Sequence, residues 1–336
     1  MAETMSAGDY AIAAPHGGEI RITGRVDAQT DPYMRLVTAA QRRAYYEEHG
    51  YVVIRGLASA SACDAARAAY EAEVKAYSGF LYRQATANPE KHVLTPQGHV
   101  LNSLLNIQDF DTMRFPRFRA GGLEIITCGP MRDAVEGLLG EPGRVVQSMY
   151  FEGNPVTWAH QDTYYLDGEP LGSMTAAWIA LEDIHPGAGR FYVYPGSHRI
   201  DMARNGGDFD ISFHHDRYKT LVIDVVKKFG LPCRAPALAK GDVLFWSSKT
   251  IHGSLETPEP AHSRSSITAH FIRASGRFMQ YQTRARQMRL ERVNGMEVHC
   301  PKYQGRLLNR AVMAVEVGFP GAFRLAKRLA VKVLTR

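Results

Sequence analysis

With 336 residues, 45% hydrophobic and 22% charged, the chain can bury a sizeable core and has the composition of an ordinary globular protein, not of a fibrous or disordered one. Its four cysteines, Cys63, Cys128, Cys233 and Cys300, lie far apart with no CxxC pair, which argues against a zinc knuckle or a disulfide framework. The +6 net charge gathers after Arg273, where the run from Arg277 to Arg336 is opposed only by Glu291, Glu297 and Glu316, yet no nucleic-acid binding motif appears there. Met1 to Ile20 has no apolar run of export-signal length, and no stretch approaches membrane-spanning length, so a cytoplasmic location is expected.

Residues 1–30 show no clear periodicity and read as an N-terminal arm. Thr38 followed by Gln41 is a capping-box signal for a helix to about His49, with Gly50 placed to end it. Tyr51 to Ile54 then reads as a buried strand. Ser61 with Asp64 opens an alanine-rich helix to about Tyr77, whose expected packing face is Ala65, Ala69, Ala72, Val74 and Ala76. From Arg83 to Arg119 the chain reads as loop, interrupted by Pro89, Pro96 and Pro116. Met131 to Leu139 makes a short helix closed by Gly140.

Strands follow: Arg144–Glu152, Met174–Leu181, Arg190–Tyr194, Leu221–Val226, Val243–Trp246 and Ser266–Ile272, rich in β-branched and aromatic residues and bounded by turn formers. Helices first and short strands afterwards, without βαβ alternation, predict an all-β core with flanking helices, a two-sheet roll buttressed on one side. No repeat or linker splits it. The expected division is an arm over 1–30, one domain over 31–275 and a basic extension over 276–336.

The chemistry centres on Trp158-Ala159-His160-Gln161-Asp162 and Ile251-His252-Gly253-Ser254. Side chains two apart on a strand share a face, so His160 and Asp162 present an imidazole and a carboxylate together. A third imidazole would complete the two-histidine, one-carboxylate set of non-haem Fe(II) oxygenases. His252 is the leading candidate, with His270 and His262 as competitors. In Arg264–Phe271, alternation puts Arg264, Ser266, Thr268 and His270 on one face and Ile267, Ala269 and Phe271 on the other. A guanidinium on the inner face suits bidentate capture of a carboxylate.

The ordered series His160-Gln161-Asp162, Trp178 to Asp183, Tyr194-Pro195-Gly196-Ser197-His198, Gly241-Asp242, His252-Gly253-Ser254 and Arg264 resembles the phytanoyl-CoA dioxygenase-like family of Fe(II)/2-oxoglutarate oxygenases over about residues 40–275. Gly189-Arg190 departs from it, standing where the family usually carries an Asn-Gly turn. The resemblance implies a double-stranded β-helix (a cupin-like jelly roll) with iron held by His160, Asp162 and His252. It further implies that Arg264, helped by Ser254, pairs with the distal carboxylate of 2-oxoglutarate, with Trp178 and Met149 beside the cosubstrate. Gln147 matches a position that can line the substrate side, and His198 belongs to a structural turn. Fe(II), 2-oxoglutarate and dioxygen are the implied cofactor and cosubstrates. The implied reaction is hydroxylation, since Asp162 leaves iron no vacancy for halide; desaturation, epoxidation or ring formation by the same oxidant are alternatives, as is a binding protein that has lost catalysis.

Tyr164 and Tyr165, directly after the metal motif, are candidates for the pocket mouth, His270 on the inner face of its strand is a candidate for the substrate pocket, and Asp201 to Lys219 is a candidate lid hinged at Asn205-Gly206-Gly207. His214-His215-Asp216 reads as loop histidines in preference to a second metal site. Phe319 to Arg336 has Phe323, Ala326, Leu329, Ala330 and Val333 at helical spacing among basic residues. Packing of this helix on its own protein is favoured over a membrane surface or an acidic partner. The expected substrate is a small molecule, with lipid-like and carrier-tethered compounds included.

Overall fold

The alternation in the Ser266–Arg273 strand sorts the protein into two sides. Ile267, Ala269 and Phe271 join a core with helices, while Ser266, Thr268 and His270 face the opposite way into the roll. The computed structural model describes residues 9–323 and 325. Its main sheet runs Leu290–Val293, Met296–His299, Gly143–Phe151, Ser266–Arg273, Thr175–Ala180, Val243–Ser247 and Tyr51–Ile54, with Leu104–Leu105 also pairing Gly143–Phe151. Facing it are a two-stranded ladder of Phe191–Val193 with His252–Ser254 and a three-stranded sheet of Leu166–Gly168, Phe278–Gln280 and Arg284–Arg286. The result is a double-stranded β-helix with flanking helices.

Helices α1 (Ala39–His49), α2 (Ala60–Ala69), α3 (Pro116–Thr127) and α4 (Gly129–Leu139) lie in the chain's first half. The last three bury Cys63, Ala66, Phe118, Ile126, Met131 and Val135 against the outer face of the main sheet. The cap of α1 is the expected one: Thr38 accepts from Gln41 N–H at 3.2 Å and Gln41 Oε1 accepts from Thr38 N–H at 3.0 Å. Gly50 ends the helix at φ +79°, where a side chain would also collide with His198 and Thr250.

Four expectations need correction. The cap of α2 is Ser59, not Ser61, and its buried face is Cys63, Ala66, Ala69, Tyr70 and Val74, leaving Ala65, Ala72 and Ala76 exposed. The loop reading of Arg83–Arg119 misses the start of α3, which uses Pro116 as its first residue, a position where proline costs no hydrogen bond. Leu221–Val226 is no strand; it lies in α5 (His215–Lys228), whose buried Tyr218, Leu221, Val222, Val225 and Val226 follow helical spacing. The arm contains an antiparallel hairpin, Asp9–Ala13 with Glu19–Thr23, turning through Gly17 and Gly18.

Ile12 and Ile22 of that hairpin join a second core with Tyr192, Tyr194, Tyr218 and Val222. Arg190 clasps it, donating to Thr23 O, Gly24 O and Ile184 O at 2.5, 2.8 and 3.1 Å. In the extension, Met296–His299 lies parallel to Gly143–Phe151, and α6 (Leu307–Gly318) follows. The helix expected over Phe319–Arg336 lies largely outside the described residues. No helix among the described residues is long and apolar enough to cross a membrane.

Candidate active site

His160 and His252 are direct partners in an antiparallel bridge, each N–H bonding the other's carbonyl at 3.0 Å. Opposed residues in such a pair put their side chains on one side, so the two imidazoles come to 4.3 Å between ring centroids. Each Nδ1 sits 2.9 Å from a backbone carbonyl, Trp158 O for His160 and Thr250 O for His252. A carbonyl only accepts, so Nδ1 carries the proton and both Nε2 lone pairs turn to the same point.

Asp162 completes the cluster from a different backbone than expected. It opens a 3-10 turn, Asp162–Tyr164, and only the extended Gln161 keeps it on the face of His160. Its Oδ1 lies 3.5 Å from both Nε2 atoms. The other oxygen, Oδ2, accepts from Trp246 Nε1 at 2.8 Å and lies 3.5 Å from His270 Nε2. The carboxylate is thereby fixed with one oxygen turned to the imidazoles and one held from behind. Burial pushes the Asp162 carboxyl up, but His252, His160 and His270 together hold it well below the usual carboxylate range. Burial likewise pulls His252 down to about 3, against the raising pull of Asp162. Two imidazole nitrogens and one carboxylate oxygen, gathered from His160, His252 and Asp162, fit a divalent iron.

Arg264 is buried and makes one hydrogen bond, Nη1 to Gly189 O at 3.0 Å, with Nε lacking a partner. Its guanidinium stands 5.4 Å from the Phe151 ring and 5.9 Å from Trp178. Burial alone brings it down to about 9, with no carboxylate to raise it. Trp178 is 6.1 Å from Phe191, and Phe191 is 5.3 Å from His252, so one row of rings joins the guanidinium to the imidazoles. A buried cation short of acceptors fits an anionic ligand such as the distal carboxylate of 2-oxoglutarate. Met149, Thr268 and Trp178 form one register row across the sheet, and Ser254 pairs with Phe191, its Oγ accepting from Thr157 N–H at 2.7 Å.

Of the candidates for the pocket mouth, Tyr165 lies 5.9 Å from the His160 ring, with its hydroxyl 3.0 Å from His215 Nε2. Gln147 pairs with His270 and lines a polar cavity of about 310 Å³ with Asn106, Gln280, Arg286 and Arg289. Two placements are corrected. Tyr164 turns into the second core, 4.1 Å from Tyr218, and donates to Gly207 O, because the 3-10 turn rotates it away from its neighbour. His270 is buried behind Asp162, its Nε2 3.5 Å from Oδ2, and so does not reach the pocket mouth. In the candidate lid, Gly207 serves close approach: a Cβ there would sit 2.4 Å from the Tyr164 hydroxyl.

Trp246 and Phe191 were not singled out from the sequence. The alternation of Val243–Ser247 puts Leu244 and Trp246 on one face, a usable signal, but the register that sets Trp246 beside Asp162 is not readable from residues alone. His198 bonds Glu47 O, away from the cluster. His185, Glu259 and His262 also come together. Their imidazoles stack in parallel at 3.7 Å, so in-plane lone pairs cannot both meet one ion without reorientation.

Fold and donor set together define a 2-oxoglutarate-dependent non-haem iron oxygenase. The family model for phytanoyl-CoA dioxygenase matches residues 46–263, and the chain belongs to that family. Peroxisomal phytanoyl-CoA dioxygenase of Bos taurus is 25% identical over 266 residues, covering 73% of this chain and 72% of that protein. Solved structures share the fold. The non-heme alpha ketoglutarate dependent carbocyclase SnoK from nogalamycin biosynthesis has TM-score 0.52 and 21% identity, over 76% of this chain and 89% of its own. EctD from S. alaskensis, with 2-oxoglutarate and 5-hydroxyectoine, has TM-score 0.52 and 18% identity, over 87% and 96%. Fe(II), 2-oxoglutarate and dioxygen are the cofactor and cosubstrates of this chain.

Proposed function

We propose that the protein hydroxylates an unactivated C–H bond of a small organic or lipid-like metabolite. The observation that carries this reading is the Asp162 carboxylate, aimed by Trp246 and His270 at the point where His160 Nε2 and His252 Nε2 converge. In this reading His160, Asp162 and His252 hold iron, and an aspartate in place of a small residue leaves no room for halide. When bound, iron with 2-oxoglutarate and dioxygen supplies oxidation: the cosubstrate loses carbon dioxide to become succinate, and one oxygen atom enters the product.

The protein's own groups do the positioning. Arg264 grips the distal carboxylate of the cosubstrate, and Trp178, Met149 and Phe191 wall it off from water, which strengthens that ion pair. Tyr165 and Gln147 stand on the substrate side. His160 keeps 14% of its side chain open, more than Asp162 or His252, and marks the side from which substrate approaches.

The test is conversion of 2-oxoglutarate to succinate by the iron-loaded protein, screened against fractions of a metabolite extract, with mass spectrometry of whatever is consumed. Gain of one oxygen atom in a fraction-dependent product is the expected result. A product that has lost two hydrogens, or is an isomer of its precursor, would replace hydroxylation with desaturation, ring formation or epimerisation. No metal-dependent turnover in any fraction would remove the reading.

A further inference from the structure

Helix α6 is built inside out for a surface helix. At about 100° per residue, Leu307, Ala311, Val315, Leu308, Phe319 and Val312 fall on one arc of roughly 140°. That arc faces solvent: Leu307 is 77% exposed, Leu308 70%, Phe319 69% and Val315 50%. The polar side is the one turned inward. Glu316 is buried and accepts from the Tyr82 hydroxyl at 3.0 Å, and Asn309 donates to Tyr303 O at 2.8 Å. Met313, on the same inner side, packs with Tyr82, Leu105, Met149 and Phe151. The helix is therefore fastened to the wall of the cosubstrate chamber, with an unbroken apolar strip left outside. Such a strip on water is costly and marks a contact surface.

Charge selects the partner. The two charged residues between Leu307 and Phe319 are Arg310 and Glu316, both off the arc, and Arg310 lies 3.8 Å from Asp111. After Glu316 the sequence contains no acid, and it adds Arg324, Lys327, Arg328, Lys332 and Arg336. An anionic bilayer offers both apolar depth for the strip and counter-charge for the basic residues.

We propose that the outer face of α6 docks the protein on an anionic lipid bilayer, setting the chamber wall formed by Met149 and Phe151 directly behind the membrane-bound helix. The contact is peripheral and is weakened by salt, because the basic residues act through screened attraction. It stands independently of which bond the enzyme oxidises.

Flotation of the full chain tests this, using phosphatidylcholine vesicles with and without phosphatidylglycerol. The protein should rise with the anionic vesicles and stay behind with neutral ones or at high salt. The double variant Leu308→Asp/Val315→Asp should lose partitioning by on the order of tenfold or more. Its thermal melting should be unchanged, since both positions point to solvent. Failure of the native protein to float with anionic vesicles would overturn the proposal, as would undiminished flotation of the double variant. A dimer in sedimentation that the double variant converts to monomer would assign the face to a second copy instead.

Discussion

Arg190 and Arg264 are both fully buried, and neither has a carboxylate partner among the described contacts. Burial lowers the first to about 10 and the second to about 9. They differ in what their donors meet. Arg190 spends three hydrogen bonds on carbonyls of the N-terminal hairpin and of Ile184, so its charge is spread over fixed dipoles and its work is structural. Arg264 has one carbonyl, from Gly189, and otherwise the faces of Phe151 and Trp178, which offer negative potential but no acceptor atom. A buried cation alone does not mark a site. Nε lacks a partner in both; what separates them is that the Nη groups of Arg190 meet three carbonyls and those of Arg264 one.

The largest expected effect lies outside the pair. Asp162→Ala should abolish 2-oxoglutarate turnover and empty the iron site in metal analysis, because the carboxylate is the one anionic donor of the cluster. The comparison itself is broken or kept by methionine at each arginine. Arg264→Met should weaken 2-oxoglutarate about 10²-fold in an anaerobic absorption titration, from two charge-assisted hydrogen bonds of roughly 1.5 kcal/mol each. Without cosubstrate its Tm should hold or rise, since an uncompensated buried charge is removed. Arg190→Met should do the reverse, leaving cosubstrate affinity alone while lowering stability by about 2–4 kcal/mol through three orphaned carbonyl contacts. Equal weakening of 2-oxoglutarate by both would erase the distinction.

Trp246→Phe removes the donor to Asp162 Oδ2 and should cost about 10- to 100-fold in metal affinity, read by Ni(II) titration calorimetry. Unchanged affinity would mean that His270 alone aims the carboxylate. The same counting applied to an anion gives an effect on pH dependence, not on the site. Asp109 is buried, and burial outweighs its bonds from Asn106 Nδ2 and Lys302 N–H to push it up to about 7. A carboxyl raised in the folded state favours folding when protonated, so its contribution falls as pH rises from about 4 toward 7, by about 1.4 kcal/mol per unit. Asp109→Asn should flatten that part of a pH series of denaturant midpoints; an unaltered slope would contradict it.

Much of the roll was legible because a strand's period of two is written directly in its residues: Ile267, Ala269 and Phe271 against Thr268 and His270 needed no coordinates. The β-branched run of Leu221–Val226 carried two signals at once. Propensity spoke for a strand, while the recurrence of Tyr218, Leu221, Val222, Val225 and Val226 at three, four, seven and eight residues spoke for a helix, and packing followed recurrence. The loop reading of Arg83–Arg119 ran into the start of α3, where a Cβ on Gly122 would meet Ile107 at 2.6 Å, so that glycine permits close packing of the helix. The choice among His252, His262 and His270 depended on cross-strand pairing. His252 bridges His160, His270 lies one shell behind Asp162, and His262 sits half exposed beside Glu259.

The Gly143–Phe151 strand would be the open flank of the sheet if the chain stopped at residue 275. Leu104–Leu105 guards one half of it and Met296–His299 the other, where Arg144 and Glu297 meet at 2.5 Å. Beyond them the last strand, Leu290–Val293, is short, turns back through Asn294-Gly295 at positive φ, and places Glu291 and Arg292 at the rim. Unpaired peptide groups invite neighbouring molecules to add strands, and short charged borders refuse them. A shortened chain ending at residue 275 should therefore still contain every proposed iron ligand yet clump in solution, which makes the extension a guard against self-association as well as a carrier for α6.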